Sequence, residues 1–201
     1  MDNKNLESTT IFDACGEKRA VELIRELIQL FGGDSNREGL RETPERAVAM
    51  YREMLAGMKY TNKEIAEIAD KCFEDEQLVN DNIIIVKDIE AFSFCEHHLA
   101  LIYNIKVTVA YIPKGKIIGL SKIARITDLV CKRLNLQERI GNDIMEIVSE
   151  ITGSSDVAVI IEGAHSCMNA RGISKLNATT KTAVFSGTFE NQDKMKLLKL
   201  L

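Results

Sequence analysis

Prolines are scarce in this 201-residue chain, only Pro44 and Pro113, and no Pro/Gly/Ser-rich stretch or internal repeat signals a linker or an array. No apolar run approaches the roughly 20 residues that cross a bilayer. The opening Met1-Asp2-Asn3-Lys4-Asn5 lacks the apolar centre of a secretory signal, so the cytosol is the expected compartment and no membrane partner is expected. The five cysteines, Cys15, Cys72, Cys95, Cys131 and Cys167, are odd in number and scattered, which argues against a disulfide framework. None forms a Cys-x-x-Cys pair, so a redox dithiol has no support. Positive charge is not in excess: Lys+Arg 26 against Asp+Glu 30 leaves a net charge of -4, which argues against nucleic acid as a partner. What is present, 45% hydrophobic and 28% charged residues, describes an ordinary globular protein long enough to bury one core.

Periodicity divides the chain. Ala20, Leu23, Ile24, Leu27, Ile28 and Phe31 recur at helical spacing up to Gly32-Gly33. A second helix is expected from Thr43-Pro44, with Thr43 as cap, and a third over Asn62 to Cys72. From Ile83 the period changes. Ile83 to Val86 is a β-branched run, and Ile105, Val107, Val109 and Tyr111 alternate with polar or small residues as a half-buried strand does. Two helical patterns follow, Ile123 to Leu134 and Leu136 to Ile151, then strands at Val157 to Ile161 and Thr179 to Phe189, and a short final helix. This order predicts an α+β fold: a helical arm over 1–80, then a domain over 81–201 with an antiparallel sheet and two helices on one face.

All three histidines fall in two short segments, Cys95-Glu96-His97-His98 and His165-Ser166-Cys167, each of which also holds a cysteine. Thiolate and imidazole together suit zinc, and Cys95 and His98, three residues apart, reach one ion from a single turn. If Cys95, His98, His165 and Cys167 all bind, the site is closed and structural; if three bind, it is open and catalytic. Spacing does not choose between these.

Lys114, Lys116, Lys122, Arg125, Lys132, Arg133 and Arg139 form a basic run opposed only by Asp128 and Glu138. Such a patch in an acidic chain suits a small anion. Gly119-Leu120-Ser121-Lys122 reads as a helix start capped by Ser121, where free amides beside Lys122 and Arg125 favour phosphate. Arg171 follows Cys167 closely, and Gln137-Glu138 opens the next helix with an amide and a carboxylate.

Taken together, these motifs resemble the GTP cyclohydrolase I family. The resemblance runs from Arg37-Glu38-Gly39-Leu40 and Thr43-Pro44-Glu45-Arg46 to Gly187, and is densest in Cys95-Glu96-His97-His98, Tyr111-Ile112-Pro113, Gly119-Leu120-Ser121-Lys122, Gln137-Glu138-Arg139 and His165 to Gly172. It implies a tunnelling fold whose sheets close into a barrel across subunits, in a homo-oligomer, a decamer, with sites between subunits. It implies Zn2+ held by Cys95, His98 and Cys167. The implied reaction converts GTP and water into formate and 7,8-dihydroneopterin triphosphate, the first step of tetrahydrofolate and pterin biosynthesis. By the same resemblance His165 protonates guanine N7, His97 and Ser121 serve the ribose, Gln137 lies beside the purine and Glu138 reads the guanine edge. Lys122, Arg125 and Arg171 hold the triphosphate, Leu120 joins the substrate-binding set, and Glu96 orients Arg171 across the subunit boundary. A reading from another class is a non-catalytic nucleotide-binding protein with a structural Cys2His2 zinc.

Overall fold

The first helical stripe forms α1, Ala14–Leu30, started by Asp13, whose carboxylate accepts from the Gly16 N–H at 2.7 Å. The computed structural model describes residues 13–74 and 82–190. It divides into two compact units, Met1–Lys59 and Tyr60–Leu201. In the first, α1 and α2 (Thr43–Met54) are joined by the ion pairs Arg25–Glu45 and Arg52–Glu17. Thr43 does not cap α2. It is the first helical residue, and its hydroxyl donates to the Gly39 carbonyl, while Pro44 occupies the first turn, where a missing N–H costs nothing. The apolar stripe of α1 stays open: Leu23, Leu27, Leu30 and Phe31 are exposed.

In the second unit the helix expected to reach Cys72 stops earlier. This helix, α3 (Asn62–Ala69), has a full capping box between Thr61 and Glu64 and turns out at Asp70. Cys72 instead opens the strand β1 (Cys72–Glu74), because the register Cys72↔Ile118 pairs it with a strand far along the chain, β4 (Lys116–Ile118). Although expected with the N-terminal arm, α3 packs on the two later helices, α4 (Leu120–Cys131) and α5 (Gln137–Thr152), through Ile65, Ala66 and Ala69.

The main sheet has five strands in the order β5-β2-β3-β6-β7, comprising β2 (Ile84–Cys95), β3 (Ala100–Tyr111), β5 (Leu134–Asn135), β6 (Val157–His165) and β7 (Thr180–Phe185). All neighbours are antiparallel except β5 with β2. The run expected over Ile83–Val86 is only the start of β2. The polar residues Lys87, Asp88 and Glu90 hide its continuation, which absorbs register shifts after Val86 and Ala91; Asp88 takes φ 56° beside the first.

Alternate residues of β3 and β6, among them Ile105, Val107, Val109, Val159 and Ile161, face the stripe Ile123, Ile126 and Val130 of α4 and Ile140, Ile144 and Ile147 of α5 in one core. That is the α+β arrangement expected. The opposite face of the sheet is also covered at one end, where Phe189 packs on Ala110 and Ala158. Phe189 belongs to a 3-10 turn, Gly187–Glu190, so the strand expected through Phe189 ends at Phe185. The expected final helix lies outside the described residues. No helix among the described residues is long and apolar enough to cross a membrane.

Candidate metal centre and its surroundings

Sheet register assembles the centre. Cys95 is the last residue of β2, paired with Ala100 across a turn over 96–99, and His165 ends β6 opposite Ile102 of β3. One turn of helix, α6 (Ser166–Asn169), carries Cys167 back over the sheet end, anchored by the Ser166 hydroxyl on the Leu101 carbonyl at 2.8 Å. One ligand atom from each of Cys95, His165 and Cys167 lies within 4.8 Å of the others. Burial pushes the Cys167 thiol up, and the neighbouring Cys95 sulfur adds to the shift. Two thiols this close resist ionising together until a cation joins them, and two sulfurs with an imidazole are a donor set that fits zinc.

His97 and His98 stand exposed on the turn after Cys95, edge to face with ring centroids 6.3 Å apart. The His98 N–H donates to the Cys95 carbonyl at 3.4 Å, but its ring is outside the three-residue group. The contact expected between Glu96 and Arg171 is one across a subunit boundary, while within the chain Glu96 is paired with Arg139 of α5 at 2.7 Å. The reason is local: β5 runs parallel to the end of β2, its Asn135 carbonyl accepts from the Glu96 N–H at 3.1 Å, and α5 starts directly after it.

Burial lowers the His165 pKa, while the Glu138 carboxylate on the first turn of α5 works the other way. Gln137, expected beside the purine, is buried at 1% exposure, and its amide is used inside the protein. It reaches His165 because the β6 strand carries Gly163 there, where a Cβ would come within 3.3 Å of Gln137 Oε1. Arg171 follows α6 and is close enough to favour the Cys167 thiolate. Its loop is pinned by Asn169, whose amide donates to the carbonyls of Lys175 and Leu176 at 2.7 and 2.8 Å. Neither Asn169 nor Asn135 has a periodic or motif signal; both act through backbone carbonyls and amides that only the folded chain brings near.

Residues 20–200 match the GTP cyclohydrolase I family. GTP cyclohydrolase 1 of Clostridium beijerinckii is 54% identical over 187 residues, spanning 92% of this chain and 95% of that protein. The chain belongs to the GTP cyclohydrolase I family. The GTP cyclohydrolase 1 of Clostridium acetobutylicum is likewise 54% identical over 181 residues, 88% of this chain and 93% of that protein. Among solved structures, the archaeosine synthase QueF-Like in its apo form matches at 20% identity over 52% of this chain and 93% of that chain, with a TM-score of 0.43.

In this GTP cyclohydrolase I family member the expected phosphate residues divide: Arg171 lies near Cys167, but those at the start of α4, Lys122 and Arg125, are not beside the metal centre of the same chain. Leu120, Ser121, Lys122 and Arg125 start α4, just after Ile118, whose N–H is held by the Tyr111 hydroxyl at 3.2 Å. Tyr111 pairs with Ile84 and Val157, whereas Cys95 and His165 lie at the Ala100–Ile102 end of β3. The two ends of β3 are separated by a distance on the order of 30 Å at strand rise. Ser121 makes no cap, since Gly119 holds the cap position without a side-chain bond. The basic run also divides: Lys114 pairs with Asp156, Lys132 with Asp128, Arg133 with Asp143 and Arg139 with Glu96. Among the described residues, Lys116, Lys122 and Arg125 are the members of the run outside these ion pairs.

Proposed function

We propose that the chain is a GTP cyclohydrolase I, converting GTP and water into formate and 7,8-dihydroneopterin triphosphate at the head of a pterin or folate pathway. The observation that carries this reading is the meeting of Cys95, His165 and Cys167 at one end of the sheet in a chain of this family. Zinc held by Cys95, His98 and Cys167 supplies, when bound, a Lewis acid able to generate a nucleophile from water near neutral pH. His98 lies on the turn that directly follows Cys95, which supports its part in this reading. His165 holds and delivers a proton at guanine N7, which makes C8 electrophilic; hydrolysis then opens the ring and releases C8 as formate.

Glu138, exposed on the first turn of α5 and close to His165, accepts from the N1–H and exocyclic amine of guanine. Adenine lacks that donor pair, so ATP leaves this carboxylate facing the purine without its two donors and is disfavoured. His97 serves proton transfers at the ribose during the rearrangement. Lys122, Arg125 and Arg171 bind the triphosphate, with Ser121 and Leu120 beside it at the start of α4.

The separation of Leu120–Arg125 from Cys95 within one chain supports a site completed by a second subunit. So does the open apolar face of α1, with Leu30 and Phe31 at 76% and 80% exposure, and a five-stranded sheet too small to close alone. The assembly we propose is a homo-oligomer, a decamer, working in the reducing cytosol where its free thiols persist.

The test is to incubate the zinc-loaded protein with GTP, and with ATP as control, and assay formate together with the pterin's near-ultraviolet absorbance. Both products from GTP alone are expected, and a chelator should abolish them. His165→Asn should keep zinc and lose turnover. Loss of zinc and stability together in that variant would instead favour a structural Cys2His2 site in a non-catalytic nucleotide binder.

A further inference from the structure

Gln137 is spent entirely on internal partners. Its Nε2 donates to the Ile161 carbonyl at 3.1 Å, the Thr180 carbonyl at 3.0 Å and the Thr182 hydroxyl at 3.2 Å. Its Oε1 lies 2.9 Å from His165 Nε2. The carbonyls decide which way the amide faces, because a flipped amide would set its oxygen against two carbonyl oxygens, acceptor against acceptor. The oxygen therefore faces His165. An amide oxygen can only accept, so the hydrogen of that bond belongs to His165 Nε2. In the neutral ring this leaves one lone pair, on Nδ1.

The geometry points to Gln137 as a positioning residue that holds His165 as the Nε2–H tautomer, so that every proton His165 exchanges with substrate passes through Nδ1. Gln137 thus acts through His165 and does not read the purine. Two strands and a helix enforce the arrangement. Thr180 and Thr182 come from β7, Ile161 and His165 from β6, and Gln137 begins α5, with Gly163 giving the space between them. Such a partner on the far ring nitrogen sets which nitrogen is basic and where the ring points. The catalytic consequence rests on the cyclohydrolase reading above; the tautomer does not.

The test uses the full-length, zinc-loaded protein labelled with 15N in its three histidine rings, the His165 signals being assigned by their absence in His165→Asn. A proton on Nε2 and an unprotonated Nδ1 are expected in the neutral state. A proton on Nδ1 overturns the inference. In Gln137→Met the Nδ1-protonated form should appear, and kcat for GTP should fall about 10- to 100-fold while KM and bound zinc change less than about twofold. A raised KM with unchanged kcat would mean that Gln137 touches guanine, and no change in either would mean that it does not act on His165; both overturn it. Should Gln137→Met fail to fold, Thr182→Val removes one anchor without touching the carbonyls. It should lower kcat in the same sense with KM kept, and an unaltered kcat with a mobile Gln137 amide overturns the inference. If the wild type shows the Nε2–H tautomer and no turnover of GTP, the cyclohydrolase reading fails while the tautomer stands.

Discussion

The Glu96 carboxylate and the Arg139 guanidinium meet at 2.7 Å, tying the turn that carries His97 and His98 to the first turn of α5. The bond also raises the Arg139 pKa, chiefly through the hydrogen bond to Glu96. Both side chains are part-exposed, so the pair contributes little to global stability. Its effect is on placement: it holds the turn of the candidate site against a helix that bears Gln137 and Glu138.

Glu96→Gln should therefore separate stability from activity. Thermal unfolding should stay close to wild type, whereas turnover of GTP should fall by up to about 100-fold, as small misplacements of reacting groups do. Differential scanning fluorimetry beside a formate assay checks this. A large fall in the melting temperature with full specific activity would contradict the placement role.

Two inactive variants should rescue each other. Cys95→Ser removes a residue at one end of the sheet and Lys122→Ala one at the other, so in a mixed assembly some sites inherit both intact halves from different subunits. Unfolding and refolding the two variants together should restore part of the activity that neither has alone. If activity stays at the level of the separate variants, the site is built from one chain.

Acid should weaken the fold partly through Asp156. The Thr188 N–H at 2.7 Å, together with the Lys114 ammonium, holds its carboxyl below the usual carboxylate range. A depressed folded pKa stabilises the protein above the unfolded value of about 3.9 and loses that contribution as pH falls through the folded value. The gap in melting temperature between wild type and Asp156→Asn should be widest above about pH 4 and narrow below it. A gap that widens in acid would reverse the sign and refute the assignment.

Gly187 is the tightest backbone position in the same corner. It has φ 57°, and a Cβ there would overlap the Asp156 carboxylate oxygen and come within 2.6 Å of the Ser155 carbonyl. Gly187→Ala should cost about 1–2 kcal/mol for the backbone alone. The overlap adds to this, since it displaces the turn that seats Phe189 on the back of the sheet. Urea denaturation measures the loss, and a variant as stable as wild type would show that the turn can move freely.

Much of this was legible in the residues. The stripes of α4 and α5 run where the spacing of Ile123, Ile126 and Val130 and of Ile140, Ile144 and Ile147 places them, because one buried face per helix is a local pattern. Cys95, His165 and Cys167 were candidates from residue type alone. The ends were not legible. Thr43 and Ser121 have the side chains of caps, but the backbone enters α2 and α4 one or two residues earlier, with Glu42 and Gly119 in the cap positions. Strands β1, β4 and β5 are two or three residues long and carry no period of their own.

By itself the sequence determined the class of fold and the chemistry available: which faces are apolar, which side chains can ligate a metal, accept from guanine or pair with phosphate. Tertiary structure alone decided who meets whom. Glu96 found Arg139, Gln137 found His165, and Lys122 was carried to the far end of the sheet from Cys95. Those partnerships depend on strand register and on the point where each helix begins, and a shift of one residue in either turns a side chain to the opposite face. Residue type limits the bonds a side chain can form; long-range pairing of the backbone selects among them.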